Sequence, residues 1–333
     1  MGDWHADSLL WNRDLSKRAN FGQVDLPRLQ AGNVSLQMFT TVTKSPSGLN
    51  YAENSSDAPD DITKLALVQL WPVDTWSSLT ARALHQASRL HDLERKSPND
   101  LMIIKSKADL ASFTTKRAKN KKLIGGLIGT EGSHALDGKL ENVQVLFDAG
   151  FRMMSLQHFF DNKLGGSLHG VSQAGLTDFG KQVIEKMDKL DIILDLSHSS
   201  EATVVDALTI YDKPVVVSHT GFKGHCDTDR NIADSLMQRI AANGGLIAVG
   251  YWASAVCGDT PKDVVSAMKY GLQLVGEDHI SLGSDYDGSV TVGFDTSEVE
   301  ALTQEMMNQN FSETQIRKIM GGNMHKFLTR YLP

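Results

Sequence analysis

Residues 192–219, IILDLSHSSEATVVDALTIYDKPVVVSH, contain one complete unit of strand, helix and strand. Apolar residues run through Ile192–Ser197 and Val215–Ser218. The stretch between them, Ser200–Ile210, has apolar residues three and four positions apart, which is typical of an amphipathic helix. Ser200 precedes this helix and offers a capping hydroxyl. Strands that alternate with helices lie parallel in one sheet, so this unit predicts an α/β protein.

The same alternation of strand and helix extends along the whole chain. We predict eight strands, at Asp3–Asp7, Val34–Thr41, Leu123–Thr130, Arg152–Gln157, Ile192–Ser197, Val215–Ser218, Leu246–Tyr251 and Ile280–Ser284. The predicted helices between them are Ile62–Arg95, Leu140–Ala149, Asp178–Lys189, Ser200–Ile210, Ala233–Ala242 and Lys262–Val275. Eight such units in 333 residues predict a closed (β/α)8, TIM-like barrel.

The rest of the chain fits one barrel domain over residues 1–333. Thr296–Leu332 follows the last strand and is predicted to form two closing helices. Asn50–Asp61 is polar, contains proline, and is predicted to be a long exposed loop. No low-complexity linker divides the chain, so we expect a single domain.

Composition excludes several classes of function. Hydrophobic residues make up 41% and charged residues 22%, as in globular proteins. The net charge is −7 and no long basic stripe is present, which argues against a nucleic-acid partner. A short basic cluster at residues 116–122 is interpreted as a solvated helix end or loop. The two cysteines, Cys226 and Cys257, form no C-x-x-C pair, which excludes a cysteine zinc site; the sequence leaves a disulfide between them open.

The sequence gives only indirect information on location and assembly. Its apolar runs are much shorter than the roughly 20 residues that a membrane span needs. The first candidate metal ligand is already the fifth residue, so we expect the natural product to begin upstream of Met1 with a secretory signal or a membrane anchor. A periplasmic or cell-envelope location would follow; otherwise the protein is cytoplasmic. A homodimer is left open.

Ionisable side chains stand at the ends of most of the predicted strands. Because the C-terminal strand ends of a barrel converge on one mouth, these side chains are predicted to face a common space. His5 and Asp7 are two positions apart in a strand and therefore point to the same side. The complete set is His5, Asp7, Glu131, His158, His198, His219 and Asp285.

This set has the chemistry of a metal centre. Three imidazoles and three carboxylates, leaving His158 aside, are nitrogen and oxygen ligands of the kind that zinc binds. They are too many for one four-coordinate ion, which favours two ions that share a carboxylate, typically about 3.5–4 Å apart. A structural role would explain any one of these residues. Their repetition at the ends of five of the eight strands favours the metal site.

The remaining histidines carry weaker signals. Four of them lie away from the strand ends at the mouth and are predicted to be structural: His85, His91, His279 and His325. Three others, in loops above the mouth, remain undecided: His134, His169 and His225.

Eight short motifs contain or accompany the candidate site residues: His5-Ala6-Asp7, Glu131, Gly175–Gly180, Asp195–His198, Ser218-His219, Asp229–Asn231, Gly283–Gly288 and Gly321–Asn323. In this order, from residue 3 to about residue 330, they resemble the renal (membrane) dipeptidase family, peptidase family M19 of the amidohydrolase superfamily. No single motif is specific, but the combination is. The stretch Gln157–Asn162 resembles bacterial members more than mammalian ones.

The resemblance implies a barrel of the amidohydrolase type with two zinc ions. His5, Asp7 and Glu131 would hold one ion, and Glu131, His198 and His219 the other. The resemblance also gives three further residues roles: Asp285 beside a bridging water, and His158 and Arg230 in substrate binding. The bulky pair Tyr251-Trp252 is expected to shape the substrate pocket.

The predicted reaction is hydrolysis of the amide bond of a free dipeptide by a metal-activated bridging hydroxide. Asp285 would accept and return the proton, and His158 would stabilise the oxyanion. A D-residue at the C-terminal position of the substrate is left open. Two alternatives are another binuclear amidohydrolase, acting on a lactone, cyclic amide or phosphoester, and a metal-containing barrel that binds ligands without turnover.

Overall fold

Nine parallel strands form one sheet in the computed structural model of the chain, which describes residues 1–333, and eight of them close into a barrel. Closure results from β2 pairing with both β1 and β4, while β1 also pairs with β9. The strands are β1 Gly2–Ala6, β2 Leu36–Val42, β3 Leu101–Ile103, β4 Ile124–Glu131, β5 Phe151–Ser155, β6 Ile193–Asp195, β7 Val216–Thr220, β8 Leu246–Val249 and β9 Ile280–Leu282.

Helices follow most of the strands and surround the barrel. They are α1 Leu26–Ala31, α2 Asp61–Val68, α3 Leu79–Lys96, α4 Lys107–Lys119, α5 Asn142–Asp148, α6 Asp178–Lys189, α7 Glu201–Ile210, α8 Asp234–Ala242, α9 Ala253–Val256, α10 Pro261–Val275, α11 Glu300–Asn308, α12 Glu313–Arg317 and α13 Asn323–Tyr331. No helix combines the length and the apolar character that crossing a membrane requires.

All eight predicted strands are confirmed, with ends that differ by up to two residues. The ninth strand, β3, was not predicted. It has only three residues and pairs with the first residues of β4. β5 pairs with later residues of β4 along the same edge. The eight barrel strands are buried along their whole length, which explains their nearly continuous apolar character.

Two predicted helical segments are more divided than expected. The single helix predicted at Ile62–Arg95 is wrong, because α2 ends at Val68 and α3 begins at Leu79. Leu70 between them has a left-handed backbone, with φ of 55°, and Pro72 cannot continue the hydrogen bonding of a helix. The closing segment contains three helices and not two, with a π-helical turn at residues 318–322 where Gly321 has φ of 150°.

The capping role predicted for Ser200 is confirmed. The Ser200 side chain accepts a hydrogen bond from the backbone N–H of Thr203 at the start of α7. Asn243 caps the end of α8, and Gly244 follows with φ of 83°, a conformation that glycine adopts without cost. The basic cluster at residues 116–122 lies at the end of α4, as predicted.

The last helix packs against the first strand. Phe327 of α13 meets the ring of Trp4 edge-on, with ring centroids 5.7 Å apart, and both side chains are buried. They belong to one hydrophobic cluster that also contains residues of β2, β4 and β8. This contact fixes the closing segment to the strand that carries His5.

We predict that Phe327→Ala lowers the free energy of unfolding by about 3–5 kcal/mol, because it leaves a cavity against Trp4. Urea unfolding followed by circular dichroism measures this change. The matched control is Phe21→Ala, since Phe21 is 63% exposed; its effect should be within about 0.5 kcal/mol. Equal effects of the two substitutions would contradict the packing role of α13.

Candidate active site

All seven predicted site residues lie at the C-terminal side of the barrel strands. Glu131 is the last residue of β4, and Asp7 directly follows β1. His5 and His219 lie inside β1 and β7, each next to the last strand residue. The other three follow their strands by three residues: His158 after β5, His198 after β6 and Asp285 after β9.

Two of these residues have a left-handed backbone conformation, which determines the direction of their side chains. His198 and Asp285 have φ of 62° and 58°, in the left-handed region that is unfavourable for residues other than glycine. Such strain costs on the order of 1–3 kcal/mol per residue and concentrates at functional sites. The Asp285 N–H donates to the carbonyl of His5 over 3.2 Å, and this bond holds the loop after β9 against β1.

Glu131 is the centre of the arrangement. Its Oε1 lies 3.2 Å from His219 Nε2, 3.3 Å from His198 Nε2 and 3.5 Å from His5 Nε2. Its Oε2 lies 3.4 Å from His158 Nε2. One carboxylate therefore contacts four imidazoles, and each of its oxygens faces a different subset of them.

Two further carboxylates complete the cluster on the side of His5. His5 Nε2 lies 3.6 Å from Asp7 Oδ1 and 3.9 Å from Asp285 Oδ1. Asp7 Oδ1 also accepts a hydrogen bond from Thr40 Oγ1 at 2.6 Å, which fixes its orientation. The contact between His5 and Asp7 agrees with the prediction that the two side chains point to the same side.

Potential ligand atoms form two groups that share Glu131. One group is His5, Glu131, His219 and Asp285, and the other is Glu131, His158 and His198. The grouping differs from the expected ligand sets at two of the expected ligands: His219 lies with His5 and not with His198, and Asp7 belongs to neither group. The two descriptions are close, since His198 Nε2 and His219 Nε2 are only 2.9 Å apart.

The charges of the cluster fit bound cations. Asp7, Glu131 and Asp285 are buried, and their only ion-pair contacts are with histidines. Burial raises the pKa of Asp285 well above its ordinary value, although His5 opposes the shift, and the charges of Glu131 and Asp7 raise it further. The free-energy cost of burying a carboxylate without a compensating cation is roughly several kcal/mol per ion. The residues present therefore suit a metal centre.

Two of the histidines next to Glu131, His198 and His219, have the protonation that metal binding needs. At His5, by contrast, burial is overcome by the charges of Asp7 and Glu131, which raise the pKa of that ring well above its ordinary value. Burial, together with the positive charge of Arg230, lowers the pKa of His198 well below its ordinary value. Burial, followed by His5 and Arg230, does the same for His219. Both rings are therefore neutral near pH 7, with a nitrogen lone pair free to bind a metal ion. His5 Nε2 has no hydrogen-bond partner in the protein.

Arg230 extends the cluster toward one wall of the barrel mouth. Its side chain is buried, and Nη2 donates to the His219 carbonyl at 2.7 Å. Nη1 has no hydrogen-bond partner, and the guanidinium lies 5.2 Å from the centre of the Trp252 ring. Arg230 forms no ion pair with its neighbour Asp229. A buried guanidinium with a free donor can bind an anionic group of a ligand.

A cavity of about 130 Å³ connects these groups. Asp7, Glu131 and Asp285 line it together with His158, His198 and Arg230, and Tyr51 and Phe159 supply aromatic surface. A larger cleft of about 670 Å³ lies at the opposite end of the barrel, beside Met1 and α13, and contains none of the site residues. The cavity at the C-terminal strand ends is therefore the candidate active site.

The structure separates the pair Tyr251-Trp252 from the cavity. Tyr251 is fully buried and packs against Phe294 and Tyr286, with ring centroids 5.4 and 5.5 Å away. Trp252 lies beneath the Arg230 guanidinium and does not line the cavity. The residue that lines it instead is Tyr51, which was not predicted. Its signal was a single aromatic side chain in the otherwise polar loop Asn50–Asp61.

A disulfide joins the two loops behind Arg230. Cys226 and Cys257 are bonded, which settles the pairing that the sequence left open. Cys226 lies in the loop after β7 that carries Arg230, and Cys257 follows the short helix α9 next to Trp252. The Asn231 side chain donates to the carbonyls of Cys226 and Ala255 at 2.9 Å each and links the same two loops.

The other histidines lie outside the two ligand groups. His91 and His279 each bind a backbone carbonyl, in agreement with structural roles. His169 is fully buried, and its Nδ1 lies 2.7 Å from the carbonyl of Tyr51. Burial lowers the pKa of His134 and of His169 to about 3. His169 therefore supports the loop that presents Tyr51 to the cavity.

Comparison with known proteins adds independent information. The family profile described as "Membrane dipeptidase (Peptidase family M19)" matches residues 3–330. The dipeptidase aclJ of Aspergillus oryzae is 27% identical over 352 residues, which cover 98% of this chain and 76% of that protein. An uncharacterized dipeptidase of Schizosaccharomyces pombe is 27% identical over 79% of this chain and 60% of its own length.

Solved structures with similar folds carry related descriptions. A metallo peptidase from Rhodobacter sphaeroides, liganded with a phosphinate mimic of the dipeptide L-Ala-D-Ala, has a TM-score of 0.80 at 22% identity and covers 99% of this chain and 98% of that chain. The dipeptidase AC, of family M19, has a TM-score of 0.75 at 21% identity over 94% and 90% of the two chains. With the buried metal-ligand cluster and a family match over nearly the full length, the chain belongs to the membrane dipeptidase family, peptidase family M19, and is a metallo-dipeptidase.

Proposed function

We propose that the chain hydrolyses free dipeptides with two zinc ions at the mouth of the barrel. One observation carries this proposal: a single small cavity is lined both by the carboxylates of the ligand cluster and by the buried, partly unpaired Arg230. The cluster suits the reacting centre, and Arg230 suits a substrate carboxylate. In a free dipeptide the terminal carboxylate lies one residue beyond the scissile amide bond. One substrate molecule would therefore reach both the ligand cluster and Arg230.

Two ions fit the number and type of ligands. His5, Asp7 and Glu131 would hold the first, and Glu131, His198 and His219 the second, with Glu131 shared. Imidazole nitrogens and carboxylate oxygens are ligands that zinc takes in catalytic sites. When bound, such ions supply Lewis acidity and lower the pKa of a water molecule to about 7.

Asp285 is the proposed proton carrier. Its carboxylate lines the cavity and lies 3.9 Å from His5 Nε2, inside the ligand cluster. The raised pKa that burial produces makes its carboxylate a stronger base than a solvated aspartate. It would take a proton from the attacking water and transfer it to the leaving amine.

His158 is the proposed stabiliser of the oxyanion. Its Nδ1 lies 3.1 Å from the carbonyl of Lys44, which can only accept, so Nδ1 carries a proton. Nε2 points toward Glu131 Oε2 from the wall of the cavity. Donation from Nε2 to a developing oxyanion therefore requires the doubly protonated imidazolium form of His158.

Arg230 is the proposed clamp for the substrate's terminal carboxylate. A guanidinium offers two parallel donors to a carboxylate, and Nη1 of Arg230 has no partner within the protein. The cation–π contact with Trp252 holds the group in place. The dipeptide mimic in the Rhodobacter sphaeroides structure ends in a D-residue. We extend acceptance of a C-terminal D-residue to this chain, to be tested with L,L and L,D pairs of the same dipeptide.

The first test concerns the shared ligand. Saturated wild-type protein should contain two zinc ions per chain by elemental analysis after gel filtration. Glu131→Gln should retain less than one, because the bridging charge is lost. Glu141→Gln is the matched control, since Glu141 is exposed and belongs to neither ligand group. A saturated wild-type protein with a single ion would contradict the two-ion site.

The second test concerns the proton carrier. Asp285→Asn should lower kcat by about 10²–10⁴-fold, the range of general acid–base groups. Its metal-free melting temperature should not fall, because the amide removes an unfavourably buried charge. The contrasting variant is Asp287→Asn. Asp287 pairs with Arg13 and accepts from Ser8, so this variant should lose thermal stability. Near wild-type kcat in Asp285→Asn would refute the role of Asp285.

The third test concerns substrate length. Wild-type protein should cleave a dipeptide much faster than its C-terminal amide or its one-residue extension, compared by kcat/KM. Arg230→Lys should lose on the order of 10–100-fold on the dipeptide, since one charge-assisted hydrogen bond contributes about 1.5–3 kcal/mol. Arg95→Lys, at an exposed position, is the control. Equal rates on all three substrates would remove the carboxylate clamp.

A further inference from the structure

One hydroxyl contacts a histidine of each proposed metal site. Ser218 Oγ lies 3.0 Å from His5 Nδ1 and 2.9 Å from His219 Nδ1. Ser218 precedes His219 in β7, while His5 comes from β1, on the other side of β8 and β9 in the sheet order. The serine is fully buried and is not itself a candidate ligand.

The direction of each hydrogen bond follows from Asp195. Ser218 Oγ lies 2.6 Å from Asp195 Oδ2, and a carboxylate accepts, so the serine proton goes to Asp195. The oxygen of Ser218 is then left with lone pairs only. It accepts from the Nδ1–H groups of both His5 and His219.

Asp195 itself is held rigidly. Its Oδ1 accepts from the backbone N–H groups of Ser197 and Ser218, at 3.0 and 2.9 Å, and from the Ser197 hydroxyl at 2.9 Å. Asp195 is fully buried and forms no ion pair. The carboxylate therefore has a fixed orientation, and so has the proton that it accepts from Ser218.

These contacts leave the other nitrogen of each ring facing the metal cluster. With the proton on Nδ1, the Nε2 lone pairs of His5 and His219 point toward Glu131 Oε1, at 3.5 and 3.2 Å. His198 lacks this support, since its Nδ1 has no hydrogen-bond partner. One serine thus orients one histidine of each site, and the third histidine is positioned by other means.

We propose that Ser218, backed by Asp195, is a positioning residue that couples the two metal sites by fixing the proton and ring orientation of His5 and His219 together. The inference rests on the proposed two-ion site in which His5 and His219 hold different ions, whereas their ligand atoms lie in the same one of the two groups that the structure forms. Loss of a group that orients a metal ligand typically lowers metal affinity by about 10–100-fold. Because Ser218 serves both rings, its removal should weaken both sites and not only one.

The test is titration of metal-free protein with zinc in competition with a chromophoric chelator. Ser218→Ala should bind both ions about 10–100-fold more weakly than wild type. Ser197→Ala is the matched control: Ser197 Oγ contacts Asp195, Ser218 and the backbone N–H of His219 but no imidazole ring, so both affinities should change by less than about threefold. The melting temperatures of the two metal-free variants should be similar, which separates positioning from a general effect on the fold.

Asp195→Asn is the second variant, in case Ser218→Ala does not fold. It keeps the Ser218 hydroxyl but exchanges one carboxylate oxygen for an NH2 group that donates, and with Oδ1 still accepting from two backbone N–H groups this NH2 faces Ser218 Oγ, so both affinities should again fall. Weakening of only one site, or equal effects of Ser218→Ala and Ser197→Ala, would overturn the proposal. Wild-type protein that binds fewer than two ions would instead refute the two-ion site, and the two failures are therefore distinguishable.

Discussion

Glu131 imposes the main constraint on this structure, because its carboxylate contacts four imidazoles in a space that also buries Asp7 and Asp285. Three buried carboxylates with no lysine or arginine partner are unfavourable in any fold unless cations offset them. The barrel provides such a place, since eight strand ends deliver side chains from distant parts of the chain to one mouth. The neutral states of His198 and His219 follow from the same burial.

The barrel strands and the ligand set could be predicted from the sequence because their signals are local. Each barrel strand is a short apolar run, and most are followed by an ionisable residue at the end that faces the mouth. The pair His5 and Asp7 illustrates this. Strand geometry alone places both side chains on one side, and His5 Nε2 lies 3.6 Å from Asp7 Oδ1. The repetition of one pattern made a coincidence improbable even though no single residue was decisive.

The remaining features depend on the paths of loops, which local patterns do not encode. Tyr251 follows β8 at the mouth but turns into the core, whereas Tyr51 reaches the cavity from a polar loop. The disulfide between Cys226 and Cys257 depends on two loops meeting behind Arg230. Apolar residues at helical spacing continue across Pro72, although the helix ends at Val68 and a new one begins at Leu79. The prediction of one long helix was wrong because apolar periodicity alone does not reveal where a helix is interrupted.

The most direct test of the two-ion site is a crystal structure of zinc-soaked protein, with anomalous diffraction collected on both sides of the zinc absorption edge. We predict two anomalous peaks in the cavity, about 3.5–4 Å apart as in bridged pairs, with one oxygen or both of Glu131 contacting each ion. Asp7 and His5 should lie beside one peak, and His198 beside the other. A single peak, or a peak that Glu131 does not contact, would contradict the account.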